Sequence, residues 1–146
     1  MARDVLGVRG MVAKCFEDLV CWQLAVELRD RVIALTATSP IAKDRGFCDQ
    51  IRRAARSIPA NIAEGFGRYA PADFARHLSI ALGSLNELST HLGEALAAGA
   101  VDTNSHTELT TLVHRTRAAT TRLLRYLKSP AARRRRTSRT PGTRTS

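Results

Sequence analysis

Apolar residues recur at intervals of three and four positions in four separate stretches of the chain. This spacing places them on one face of a helix, because one turn of α-helix takes 3.6 residues. The stretches cover about residues 16–38, 47–65, 71–98 and 103–127. The third stretch is the most regular, with an apolar row of Phe74, Leu78, Ala81, Leu82, Leu85, Leu88, Leu92 and Leu96. The pattern predicts four amphipathic α-helices.

Residues that start or stop helices mark the predicted boundaries. Pro40 ends the first helix, because proline disfavours helical backbone at the residue before it. Pro71 suits the first turn of the third helix, and Gly99 stops that helix. Asp102 or Thr103 can cap the start of the fourth helix.

The first two helices carry more specific expectations. The apolar face of the first helix is predicted to consist of Leu19, Trp22, Val26 and Ile33, flanked by Ala25 and the aliphatic stem of Arg29. Pro59 lies inside the second helix, where it removes a backbone donor, so we expect a kink or a break there. The glycines of 65–67 are expected to end that helix.

The connections between the predicted helices are short, about four to nine residues. Short connections favour neighbouring helices that run in opposite directions. We therefore predict an all-α fold, an antiparallel up-down-up-down four-helix bundle, over residues 15–128. Residues 1–14 are interpreted as a flexible leader. Residues 129–146 are Arg-rich with little to bury, and are interpreted as a disordered tail.

Composition supports this fold class and adds a charge asymmetry. The 146 residues suit one domain, and 22 Ala and 16 Leu outnumber 8 Val and 6 Ile, which favours helices over strands. The formal net charge is +10. Residues 1–128 contribute +4, whereas residues 129–146 contain six Arg and no acidic residue. A basic excess of this kind is typical of proteins with polyanionic partners.

Several classes of protein and site are not indicated. No apolar run reaches the roughly 18–20 residues of a membrane helix, and the N-terminus lacks the apolar region of a signal peptide. Three cysteines without a Cys-x-x-Cys pair suggest neither a disulfide framework nor a zinc site, which agrees with a cytoplasmic protein. The chain has no Glu-x-x-His pair, phosphate-binding glycine loop or Gly-x-Ser-x-Gly motif. We therefore expect no metal, no cofactor and no enzymatic activity.

Three sequence blocks resemble a known family. They are Arg-Arg-Ala-Ala and Ile-Pro-Ala-Asn-Ile-Ala-Glu-Gly within residues 49–68, Phe-x-x-Leu-x-x-Trp at 16–22, and Phe74 followed by the segment 80–92. Together they resemble the four-helix-bundle proteins encoded in intervening sequences of bacterial 23S ribosomal RNA genes. The resemblance covers about residues 16–128 and implies a ring-like homopentamer, without implying an established activity. Accessory proteins of diversity-generating retroelements, which bind nucleic acid and partner a reverse transcriptase, are more distantly similar.

Two groups of arginines are candidates for binding RNA or DNA. Arg52, Arg53 and Arg56 share one sector of the second helix, and Arg68 is a further candidate. Arginine suits phosphate because its planar fork donates two parallel hydrogen bonds. The alternative is that these arginines pair with Asp49, Glu64 or carboxylates of a neighbouring subunit.

The second group lies in the tail. Its run consists of Arg133, Arg134, Arg135 and Arg136. Such a run adds salt-dependent, sequence-independent affinity for phosphates, or it is a solvated and dispensable segment.

Four other residues are candidates for structural or subunit contacts: Trp22, Pro59, Asn61 and Glu64. Asn61 and Glu64 can share a helical face, where they form a polar binding site, satisfy backbone groups freed by Pro59 or fix a subunit contact. Leu85, Leu88 and Leu92 are candidates for subunit contacts if their face is wider than one bundle needs.

The sequence therefore leads to one function hypothesis and one alternative. The first is a non-enzymatic, oligomeric four-helix-bundle protein that binds RNA or DNA through its basic surface and tail. The alternative is a protein-interaction scaffold with no direct role in nucleic-acid binding.

Overall fold

The computed structural model describes residues 13–38, 40–68 and 70–132. These residues form four α-helices, α1 (Val20–Thr36), α2 (Arg45–Phe66), α3 (Pro71–Ala97) and α4 (Thr103–Lys128). Short 3₁₀ turns at Phe16–Asp18 and Ile41–Lys43 precede α1 and α2. No strand occurs in this part of the chain, so the predicted all-α four-helix bundle is confirmed.

Contacts between helix ends give the direction of neighbouring helices. Thr36, the last residue of α1, contacts Cys48 near the start of α2. The end of α2 lies against the start of α3, where a Cβ placed on Gly65 would lie 2.7 Å from the Cβ of His77. Phe47 at the start of α2 packs edge-on against His91 near the end of α3. Hence α2 and α3 are antiparallel, and the end of α1 meets the start of α2.

The start of α2, the start of α4 and the end of α3 are fixed by residue types that usually fix helix ends. The Asp44 carboxylate accepts a hydrogen bond from the Phe47 backbone N–H at 3.0 Å and caps α2. Asp102 caps α4 by accepting from the Ser105 backbone N–H at 2.8 Å. Gly99 follows α3 with φ of 70°, a conformation that glycine adopts without strain. The predicted stop of α3 at Gly99 and the predicted cap of α4 at Asp102 are therefore confirmed.

The leucine row of α3 lies in the centre of the bundle. Leu85, Leu88 and Leu92 are fully buried, so within one subunit they are core residues and are not available for subunit contacts. A smaller apolar cluster of Ile41, Cys48, Ala95 and Val101 closes one end of the bundle.

The predicted core face of α1 was right for Leu19 and Ala25, which are fully buried, but the rest of its row is rotated away from the core. The buried residues of α1 are Cys21, Ala25, Leu28, Val32 and Thr36. Trp22 and Ile33 are only half-buried, about 100° further around the helix. The small side chains of Cys21 and Ala25 face the centre, where helices lie close together, and the bulky indole lies at the edge of the core.

The end of α2 lies where the sequence predicts it, and of the kink or break expected at Pro59 the break does not occur. α2 is one continuous helix across Pro59, because the fully buried Ile58 and Ile62 on either side anchor it in the core and outweigh the roughly 3 kcal/mol cost of an interior proline. The last helical residue is Phe66 and Gly67 is the C-cap, so the predicted end within 65–67 is confirmed. A side chain at Gly65 would collide with His77 and the Phe74 carbonyl oxygen of α3. Gly65 is therefore a close-packing position.

α4 has a polar side chain at two of its central core positions. Thr116 and Thr120 are fully buried, and each hydroxyl donates at 2.7 Å to the carbonyl oxygen four residues earlier. Their hydroxyls are satisfied within the helix and need no partner from a neighbouring helix. None of the described helices is both long enough and apolar enough to cross a membrane.

Candidate nucleic-acid interface

Three of the predicted phosphate-binding arginines lie together on the surface of α2. Arg52, Arg53 and Arg56 line a shallow depression of about 280 Å³ together with Asp49. α2 positions them because their helical spacing places them opposite the buried row of Ile51, Ala55, Ile58 and Ile62. The structure thus brings three positive charges and one negative charge to one surface.

Arg52 differs from its two neighbours because its guanidinium is held by another helix. Its Nε donates to the Thr36 hydroxyl at 2.7 Å, and its Nη2 donates to the Thr36 carbonyl oxygen at 3.4 Å. Thr36 ends α1, where backbone carbonyls lack helical donors and a cation is favourable. Arg52 therefore ties the end of α1 to α2.

Arg53 and Arg56 are exposed and make no ion pair or hydrogen bond with any other residue that the structure describes. In particular, neither forms an ion pair with Asp49, although Asp49 lines the same depression. Within this subunit, the alternative of pairing with Asp49 or Glu64 therefore does not hold for Arg53 and Arg56.

Arg68 lies apart from this group and has a carboxylate partner. Its Nη2 lies 2.7 Å from Oε1 of Glu64, four residues earlier, and both side chains are about half exposed. Two predicted candidates, Arg68 and Glu64, are therefore partners in a surface ion pair.

Trp22 and Pro59 lie together in a groove of about 520 Å³ between α1 and α2. The Trp22 ring packs edge-on against Phe16 with ring centroids 5.2 Å apart. Ile33, Ala60 and Ala63 add apolar surface, and the ion pair of Arg29 and Asp30 lies at the rim. The groove is an apolar surface with a polar edge, which is the composition of a contact site.

Asn61 belongs to a different environment from Glu64. Its side-chain amide donates at 2.8 Å to the carbonyl oxygen of Ser57, whose hydroxyl lies 2.8 Å from that of Ser84. Asn61 Oδ1 also lies 3.4 Å from Nδ1 of the buried His77. Asn61 therefore links α2 to α3 and forms no joint site with Glu64.

Asn61 also does not replace the hydrogen bond that Pro59 removes. That bond would reach the Ala55 carbonyl oxygen, whereas Asn61 reaches Ser57. The nearby His77 is 7% exposed, and its Nε2 has no hydrogen-bond partner among the described residues.

The cysteines do not provide a reactive nucleophile. Burial raises the pKa of the Cys21 thiol to about 12, so it stays protonated at neutral pH. The Cys48 thiol is buried and donates to the Ile41 carbonyl oxygen at 3.2 Å. A hydrogen bond with Glu17 raises the pKa of the exposed Cys15. Within residues 13–38, 40–68 and 70–132, no three His, Cys, Asp or Glu side chains are grouped to hold a metal ion.

Four candidates in the tail, Arg133, Arg134, Arg135 and Arg136, lie outside the described residues. Immediately before them, α4 exposes three arginines that the sequence patterns above did not single out: Arg115, Arg122 and Arg125. The signal that could have found them is the absence of any acidic residue after Glu108.

The fold and the site define a helical-bundle protein with arginine-bearing surfaces and an apolar groove. The model of the 23S rRNA-intervening sequence protein family matches residues 17–122, which is more than half of the chain. The chain belongs to this family, and the resemblance noted in its sequence is confirmed. The family takes its description from the ribosomal RNA intervening sequence and not from an enzymatic reaction.

A solved structure supports the same fold. The chain is similar to a protein of unknown function from the S23 ribosomal protein family of Bacteroides thetaiotaomicron, with a TM-score of 0.68 and 21% sequence identity. The match covers 73% of this chain and 96% of that one. None of the curated proteins compared with the chain matches it.

Proposed function

We propose that this protein is a non-enzymatic, oligomeric, cytoplasmic member of its family that binds RNA or DNA through basic surface residues and its tail. The observation that carries the proposal is the exposure of Arg53 and Arg56 without a carboxylate partner among the described residues. Phosphate oxygens satisfy such guanidinium groups with paired, charge-assisted hydrogen bonds.

Charge and burial support phosphate as the ligand of this surface. Arg53 and Arg56 border one depression, so a backbone phosphate can accept from both side chains. Arg52 adds positive charge at the same place while it holds Thr36. Arg133, Arg134, Arg135 and Arg136 would add contacts that depend on charge and not on base sequence.

The oligomeric part of the proposal is a homopentamer, as the family resemblance implies. The groove around Trp22 and Pro59 supports subunit contact, because it leaves aromatic and aliphatic surface partly exposed in one chain. Light scattering should give the mass of five chains at micromolar concentration. A monomer mass would contradict this part, and Trp22→Ala should reduce the assembled fraction.

Binding is tested with gel shifts of mixed RNA and DNA at increasing salt. We expect binding that is strongest at about 50 mM salt and falls steeply as salt rises. The variant Arg53→Gln/Arg56→Gln should bind less tightly than Arg31→Gln/Arg68→Gln, which removes the same charge from ion-paired positions. No binding by the unaltered chain at about 50 mM salt would overturn the proposal.

A protein-interaction scaffold is the second candidate, and the apolar groove favours it. A groove of about 520 Å³ with Trp22 at its edge can hold an apolar side chain of a partner. The distant resemblance suggests a reverse transcriptase as one partner class. A pull-down before and after nuclease treatment separates the candidates, because a partner held by nucleic acid is lost when the nucleic acid is digested.

A further inference from the structure

The basic excess of the chain is confined to its C-terminal quarter. Residues 109–146 contain eleven basic and no acidic residues, whereas residues 1–108 contain twelve basic and thirteen acidic residues. The net charge of +10 therefore arises entirely after Glu108. This boundary lies inside α4 (Thr103–Lys128), and five of the eleven basic residues precede the end of that helix.

Three of these five residues form one outward surface, the α4 basic face, made of Arg115, Arg122 and Arg125. At 100° per residue they fall within a sector of about 80°. All three are exposed, and they lie on the side of α4 opposite the buried Leu123 and Leu127. With a rise of 1.5 Å per residue, they span about 15 Å along the helix.

The fold makes no use of this face. None of its three arginines forms an ion pair or hydrogen bond with another residue that the structure describes. Elsewhere, Arg29 pairs with Asp30, Arg31 with Glu27 and Arg68 with Glu64. On α4 itself, Arg117 instead reaches the side-chain oxygen of Asn86 on α3. Like charges on one helix face repel each other, so an external anion is what would stabilise this arrangement.

The residues of the α4 basic face and their surroundings favour one of three polyanionic ligands: a membrane surface, a single strand or a duplex. A membrane-surface helix needs an exposed apolar face, whereas the apolar side of α4 is buried in the bundle. A single strand is usually held by stacking on Phe, Tyr or Trp, but Tyr126, the one residue of these types in α4, packs half-buried against the core. Double-stranded nucleic acid offers one phosphate charge per roughly 1.7 Å of axis, so a 15 Å row of arginines meets a dense row of phosphates.

We propose that the α4 basic face docks along the sugar-phosphate backbone of a nucleic-acid duplex. The inference rests on the proposed nucleic-acid binding and names its surface and its form of ligand. Recognition by this face would be independent of base sequence, because arginine contacts to phosphates position a protein without reading bases.

The test compares two triple variants of the full-length chain that remove equal charge. The first is Arg115→Gln/Arg122→Gln/Arg125→Gln. The control is Arg29→Gln/Arg31→Gln/Arg68→Gln, which removes three arginines that already have carboxylate partners. The probes are a 24-base-pair DNA duplex, the RNA duplex of the same sequence, one strand of each, and vesicles of phosphatidylserine and phosphatidylcholine.

We expect the α4 variant to lose more than about tenfold in affinity for either duplex at 50 mM salt, because each lost phosphate contact removes about 0.9 from the slope of log affinity against log salt. The control should lose less than about threefold, as ion-paired surface arginines contribute little. Equal losses in the two variants, or tighter binding to single strands or vesicles than to duplexes, would overturn the inference. If the unaltered chain binds no nucleic acid at all, the proposed function fails as well.

Discussion

The arginines of α2 and those of α4 look alike in the sequence and differ in their surroundings. On α2, Arg52 is bound to Thr36, and Arg53 and Arg56 share a depression with Asp49. On α4, Arg117 is bound to Asn86, and Arg115, Arg122 and Arg125 lie on a helix that has no acidic residue after Glu108. Each helix therefore uses one arginine to hold a neighbouring helix and exposes the others. The two surfaces differ because Asp49 lies beside the arginines of α2, whereas α4 itself supplies no carboxylate after Glu108.

This comparison separates residues that the fold requires from residues that it leaves free. α2 carries the close contact at Gly65, the continuous turn through Pro59 and the tie at Arg52, so substitutions there should reduce stability. The α4 basic face carries none of these contacts, so substitutions there should affect binding and leave stability unchanged. The predictions below test this separation, starting with the largest expected effect.

Gly65→Ala should destabilise the protein by about 1–3 kcal/mol, as overpacking of a filled interface usually does. The new methyl group would lie 2.7 Å from the Cβ of His77, and that Cβ cannot rotate away. The matched control is Gly93→Ala on α3, where a Cβ meets nothing within 4 Å. The control should stabilise by about 0.5–1 kcal/mol through helix propensity. Urea unfolding measures both, and equal signs would contradict the close-packing role of Gly65.

Arg52→Met should destabilise by about 1 kcal/mol, the usual net contribution of a hydrogen bond. The Thr36 hydroxyl is part of a residue only 1% exposed, so water cannot fully replace the guanidinium. Arg53→Met is the control and should change the free energy of unfolding by less than about 0.5 kcal/mol. Similar losses in both variants would show that the tie to α1 is not what distinguishes Arg52.

The start of α4 should respond to acid. Hydrogen bonds from the Ser105 backbone N–H and hydroxyl lower the pKa of Asp102 below its usual value. A lowered pKa in the folded state stabilises the fold above the unfolded-state pKa of about 3.9, and this contribution is lost as pH falls through the folded-state value.

Asp102→Asn keeps a capping side chain but removes its titration. The melting temperature of the unaltered protein should therefore fall more steeply below about pH 4 than that of the variant. Melting temperatures that follow parallel curves between pH 6 and pH 2 would show that the cap does not depend on the charge of Asp102.

The smallest effect on the stability of the protein is expected from substitutions in the α4 basic face. Arg115→Gln/Arg122→Gln/Arg125→Gln should change the free energy of unfolding by less than about 0.5 kcal/mol, because exposed residues without partners contribute little. Circular dichroism during urea unfolding checks this and also shows that the binding variant is folded. A loss above about 1 kcal/mol would make the face structural and would remove its contrast with α2.

Much of the fold could be predicted from the sequence, but the rotation of α1 about its own axis, which decides which side chains are buried, could not. Periodicity identified four helices, Asp102 was among the predicted caps, and the blocks around Arg52 and Pro59 indicated the family. Leu19 and Ala25 were assigned correctly to the core face of α1, whereas Trp22 and Ile33 were not, because they also have the right spacing for a core row. Periodicity alone does not distinguish two adjacent apolar rows on one helix, and the choice depends on which row fits the neighbouring helices.

The candidate site was predictable only in part. The shared sector of Arg52, Arg53 and Arg56 followed from helical geometry, and the structure places all three around one depression. The sequence did not distinguish Arg52 from its neighbours, since its partner Thr36 lies sixteen positions away. The absence of acidic residues after Glu108 was visible in the sequence. Only the structure showed which of the arginines in this region are exposed together on α4.

The sequence by itself determined the local features of this protein: four amphipathic helices, the residues that start and stop them, and a basic C-terminal quarter. These depend on contacts between residues three or four positions apart, or on charge alone. The tertiary structure decided which apolar row of α1 is buried, that Gly65 must lack a side chain, and which arginines are held and which are free. Those outcomes depend on packing between helices, because the residue that contacts a given side chain is often distant in the sequence.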